Sequence, residues 1–98
     1  MYAFTTRVAL RPGQGDEGTR RWRDEILPWL RQQRGFRRLM VLNDDAGTRG
    51  LAILFFDSEA DYQAAGGGLG DLAKRLLRPL IDETGQHLDE GFTLALDA

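Results

Sequence analysis

Two neighbouring segments, Phe36–Asn43 and Thr48–Asp57, are apolar at both alternating positions. A strand on a half-exposed sheet carries a polar residue at every second position, because successive side chains point to opposite faces. Here Leu51, Ile53 and Phe55 share one parity while Ala52, Leu54 and Phe56 share the other. The preceding segment sets Phe36, Met40 and Leu42 against Leu39 and Val41. Asn43–Gly47 between the two reads as a hairpin loop from its turn residues. Both faces of this hairpin therefore need cover.

The rest of the chain supplies the partners. Tyr2–Leu10 alternates and predicts a first strand, stopped by Arg11-Pro-Gly-Gln-Gly15. From Asp16 to about Gln33 the period becomes helical, with Trp22, Ile26, Trp29, Leu30 and Gln33 on one face. Pro28 predicts a kink or break near Leu27, and Gly35 an end. Ser58 is placed to cap a second helix, with Asp61 three residues on. Gly66-Gly-Gly-Leu-Gly70 is expected to interrupt that helix, and a second helical piece should run from Asp71 to about Asp82. Thr84–Gly91 reads as loop and Phe92–Leu96 as a last strand. The order is βαββαβ, which predicts a single ferredoxin-like α+β domain over residues 1–98: a four-stranded antiparallel sheet with both helices on one face.

Two helices cover one sheet face. The other would be a large apolar patch in water, and the simplest cover is a second copy of the same sheet across a two-fold axis. A chain of 98 residues also has little core of its own. A homodimer through the sheet face is expected.

Composition narrows the chemistry. There is no Cys, which removes disulfides, thiolate nucleophiles, Fe–S clusters and Cys-based zinc sites. One His and one Ser leave no multi-His metal site within a chain, and only Ser58 with His87 for a Ser–His pair. No cofactor or metal is expected. The net charge of −2 and a pI near 5.3 argue against nucleic acid and anionic membrane. No apolar run reaches the roughly 20 residues of a membrane span, and Met1–Leu10 alternates rather than forming a signal core. A soluble cytoplasmic protein is expected. Residues 1–49 carry ten Arg against six acidic residues, a balance of +4, and residues 50–98 carry −6. This reads first as solvated faces of different sign, and otherwise as halves that attract, within the fold or across a dimer.

His87, which otherwise reads as an exposed loop histidine, is the candidate general base, since histidine alone among side chains ordinarily titrates near neutrality, and Asp89 is close enough to orient it. Ser58 is accounted for as a cap. Arg7 and Arg38 lie in strands and must reach solvent, an acidic partner or an anionic ligand. Trp22 and Trp29 share a helix face and read as core. Trp29 and Tyr62, each on a helix facing the sheet, are also placed to line an apolar pocket. The glycine run lacks the following Lys-Ser/Thr and preceding strand of a phosphate loop. A flexible break that opens and closes a pocket is its better functional reading.

Three stretches carry a resemblance. Leu10-Arg-Pro-Gly13, Leu27-Pro-Trp-Leu-Arg-Gln-Gln-Arg-Gly-Phe36 and Phe55-Phe-Asp-Ser-Glu-Ala-Asp-Tyr62 resemble the dimeric α+β barrel superfamily, in particular its antibiotic-biosynthesis-monooxygenase-like branch. The likeness spans residues 2 to 65. It implies sheet-to-sheet pairing as a dimeric α+β barrel, and a cofactor-independent monooxygenase acting on an aromatic or polyketide-like substrate. Such enzymes hold an ionisable phenol or enol near O2. The resemblance implies Trp29 and Tyr62 as pocket residues and sets Phe56 at a pocket position. With the residues picked out by their own chemistry, His87 and Tyr62 are the catalytic candidates and Trp29, Arg7 and Phe56 the candidate substrate contacts. The haem-degrading branch uses an Asn in the first strand, a Trp ending the third and a His on the following helix. This chain has Thr6, Phe56 and no His at those places, which argues against haem degradation.

Two other classes compete. One is a non-catalytic ferredoxin-like interaction or ligand-sensing module. The other is an RNA-recognition-type module, since Arg49-Gly-Leu-Ala-Ile-Leu-Phe-Phe56 is similar to its third-strand signature. Base-stacking aromatics would be needed where Leu51 and Ile53 stand, so the platform is missing.

Overall fold

Strand β1, Tyr2–Ala9, runs through the interior of a four-stranded antiparallel sheet. The computed structural model describes residues 1–98. Strands β2 (Phe36–Asn43), β3 (Arg49–Phe56) and β4 (His87–Thr93) complete the sheet in the order β2-β3-β1-β4. A helical segment joins β1 to β2: α1 (Gly15–Arg21), a π-helical stretch over Trp22–Ile26, and α2 (Leu27–Leu30). Helix α3 (Glu59–Leu76) and a short 3₁₀ turn at Arg78–Leu80 join β3 to β4. The helices lie on one face, as the βαββαβ order requires.

That face holds the core. Ile26, Leu30, Leu54 and Phe56 are fully buried, with Trp22, Ala52, Ala65 and Leu69 packed around them. Each fully buried large side chain contributes about 2 kcal/mol. Three departures from the expected elements have local causes. First, the helical segment does change at Leu27, but through its hydrogen bonds. Leu27 N–H donates to the Trp22 carbonyl five residues back, immediately before Pro28, which has no N–H to offer. Second, Gly66–Gly70 does not interrupt anything. α3 is continuous for 18 residues, capped by the Ser58 hydroxyl accepting from Asp61 N–H at 3.1 Å and anchored by buried Ala65 and Leu69. Tertiary packing overrides the low helix propensity of glycine. Third, β4 begins at His87 instead of Phe92, because β1 pairs with it from Val8↔His87 to Tyr2↔Thr93. The cross-strand ladder, and not apolar alternation, builds this exposed edge strand.

Register also corrects one parity. A bulge between Phe36 and Arg38 turns Phe36 to the helix side, with Leu39 and Val41. The opposite face then presents Met40 and Leu42 of β2, Leu51, Ile53 and Phe55 of β3, and Leu88 and Phe92 of β4. None of these is fully buried; Leu42 and Phe92 are 46% and 50% exposed. Between the oppositely charged halves, Arg37 pairs with Asp57 and Arg34 with Asp61, the latter at 3.8 Å. No helix is long and apolar enough to cross a membrane.

Candidate functional site

A cavity of about 650 Å³ lies between the helix-side face of the sheet and the helices. Phe4, Val8, Val41, Ala52 and Leu54 form its apolar floor, and Trp22, Leu69, Leu77 and Leu80 its walls. This size and character suit a small organic molecule.

Polar groups converge at the β1–β4 edge. The two-residue period of β4 puts His87 and Asp89 on the cavity side, and the register sets Thr6 directly across from Asp89. His87 Nε2 lies 2.9 Å from Asp89 Oδ1, and the Thr6 hydroxyl donates to the same oxygen at 2.6 Å. An ionised carboxylate only accepts, so the imidazole donates through Nε2–H and keeps the Nδ1 lone pair free. Asp89 thus fixes the ring's tautomer. Both side chains are about half exposed, so a bound molecule can reach them.

Tyr62 projects from the first turns of α3 into an aromatic nest. Its ring stacks on Phe4 at 4.6 Å between centroids, meets Phe56 edge-on at 5.7 Å and lies 5.5 Å from Tyr2. Burial, with lesser contributions from Tyr2 and Asp89, pushes its hydroxyl up to about 12. At neutral pH it is a hydrogen-bond donor and never a base.

The remaining expected contacts lie elsewhere. Trp29 does not line the cavity: its ring covers Gly68 on α3. Phe56 is wholly buried behind Tyr62 and supports it without reaching the cavity. Arg7 stands on the opposite sheet face between Leu51 and Leu88, because its odd parity in β1 carries it there. Arg38 shares that face, across from Phe55. The site also contains Thr6 and Lys74, to which the sequence reading gave no role, and Gly66 and Gly70, which it read as a flexible break. Treating the glycines as a break hid the four-residue spacing from Tyr62 to Lys74 that would have placed them together. No three His, Cys, Asp or Glu side chains gather as a metal site would need.

The fold is shared with solved structures of monooxygenases at low sequence identity. Among solved structures, the chain is similar to the ActVA-Orf6 monooxygenase of Streptomyces coelicolor in complex with nanaomycin D. The TM-score is 0.81 at 16% identity, over 99% of this chain and 89% of that one. It is similar to SnoaB, a cofactor-independent oxygenase from Streptomyces nogalater, with TM-score 0.78 at 18% identity over 98% and 94% of the two chains. It is also similar to a MhuD variant carrying two manganese protoporphyrin IX per active site, with TM-score 0.76 at 18% identity over 100% and 98%. These likenesses establish the fold. No family model and no curated protein matches the sequence.

Proposed function

We propose that the chain forms a homodimer through its uncovered sheet face, and that each protomer acts on a small aromatic or polyketide-like molecule as a cofactor-independent monooxygenase. The observation that carries this reading is the His87–Asp89 pair, with Thr6, on the edge of an otherwise apolar cavity. The fold shared with a monooxygenase and a cofactor-independent oxygenase supports it. An activated CH2 beside a phenol or ketone loses a proton to His87 Nδ1, and Asp89 stabilises the imidazolium that forms. The resulting enolate is electron-rich enough to reduce O2 itself. The CH2 becomes a carbonyl, one oxygen atom enters the product, and the other leaves as water with both hydrogens. All four electrons come from the substrate. The Tyr62 hydroxyl, kept protonated, is suited to donate to the enolate oxygen. Oxygen uptake with a hydroxyanthrone as probe tests this. Uptake by the intact chain and its loss in His87→Ala are expected, whereas binding without uptake would leave a ligand-sensing module.

A further inference from the structure

We propose that Thr6 is a positioning residue: its hydroxyl anchors Asp89, so that His87 is held in the tautomer with a free Nδ1 lone pair. This deepens the reading of His87 above and rests on it for what that nitrogen does.

The three side chains form a closed triangle. Thr6 Oγ1 lies 2.6 Å from Asp89 Oδ1, that oxygen 2.9 Å from His87 Nε2, and Nε2 3.4 Å from Thr6 Oγ1. A hydroxyl has one hydrogen to give. Given to Nε2, it would require a lone pair there and a proton on Nδ1, leaving no free base. The distances assign it to Asp89 instead. A separation of 2.6 Å is that of an O–H donated to a carboxylate, whereas 3.4 Å is long for any hydrogen bond to nitrogen. Thr6 then turns only lone pairs toward Nε2. Both oxygens beside that nitrogen accept, so Nε2 carries the proton.

Asp89 needs this anchor. It and His87 are about half exposed on the edge strand β4, where a charged pair by itself contributes little. Thr6 stands on firmer ground. It belongs to the interior strand β1, with Ala52 paired to it on one side and Asp89 on the other. Its branched Cβ restricts χ1, so the hydroxyl arrives already aimed. The neighbours Thr5 and Arg7 cannot take its place, because alternation turns them to the opposite sheet face.

His87 is the chain's only histidine, so its imidazole 15N signals need no assignment. With the ring neutral, wild type should show a single Nε2-protonated form, with pyrrole-like Nε2 and pyridine-like Nδ1 shifts. Thr6→Val keeps the branched shape without the hydroxyl, and its two shifts should converge toward the tautomer mixture of free histidine. Thr6→Ala should repeat this, and Thr6→Ser should restore the wild-type shifts. In an Asp89→Ala background, Thr6→Val should lower the Nε2-protonated fraction no further, because Thr6 acts through Asp89. With the hydroxyanthrone probe, Thr6→Val should lower kcat about tenfold at unchanged KM, the scale of one hydrogen bond to a charged group. Wild-type shifts in Thr6→Val, or an equal loss in the Asp89→Ala background, overturn the proposal. The shifts are read without substrate. A chain that takes up no oxygen loses the oxygenase reading, while Thr6 stands or falls by the tautomer.

Discussion

The indole of Trp29 lies so close over Gly68 that a Cβ built on the glycine would fall 2.5 Å from Cζ2 of the ring. The helical segment before β2 and helix α3 meet at this point, and the contact exists only because one residue has no side chain.

Gly68→Ala should therefore destabilise the protein although alanine is the better helix former. Overpacking of this kind costs about 1–3 kcal/mol, against about 1 kcal/mol gained in propensity. Urea unfolding compares the variant with wild type; a rise in the midpoint would mean that Trp29 can move away freely.

His87→Ala should reduce oxygen uptake about 100-fold or more, the usual scale for a lost general base. Because His87 is about half exposed, its thermal unfolding should stay near that of the wild type. Uptake retained at the parent rate would remove His87 from the chemistry.

Tyr62 predicts a distinctive alkaline titration. Its hydroxyl moves from 10.0 to about 12 on folding, so the neutral form favours the native state. That contribution is complete below the ordinary tyrosine value and disappears as pH rises through about 12. Phenolate absorbance should contain a component appearing only near pH 12, and Tyr62→Phe should delete it. A titration in Tyr62→Phe identical in shape to the wild type would contradict the assignment.

Ile53 sits mid-strand on the uncovered sheet face, flanked by Thr5 of β1 and Met40 of β2. If two sheets face each other, Ile53→Asp buries a carboxylate in each copy and should dissociate them. Light scattering should show about 22 kDa for wild type, twice the 11.0 kDa chain, and the single-chain mass for the variant. A variant still at twice the chain mass would place the interface elsewhere.

The architecture could be read from local chemistry where each residue had one dominant environment. Two-sided apolar strands, the Ser58 cap and the proline at 28 each pointed to what is observed. The misreadings share a different cause. β4 sets Glu90 between Leu88 and Phe92 on one face and carries His87, Asp89 and Gly91 on the other, so its apolar alternation is broken mid-strand. Gly66–Gly70 stays helical because Ala65 and Leu69 are held in a core that no local window contains. At the site, His87 and Asp89 were paired correctly from their spacing, whereas Trp29, Phe56 and Arg7 depended on which way a surface turns, which register decides.

Pairing of Tyr2 with Thr93 makes β1 wait for β4. As the chain leaves the ribosome, the first strand is made early but cannot finish its ladder until residue 93 has emerged. Until then one edge of β1 stays open. Closing a loop of that span costs more chain entropy than closing the β2–β3 hairpin. The open edge of β1 includes Thr6, so the candidate site on the β1–β4 edge is itself completed only when β4 arrives.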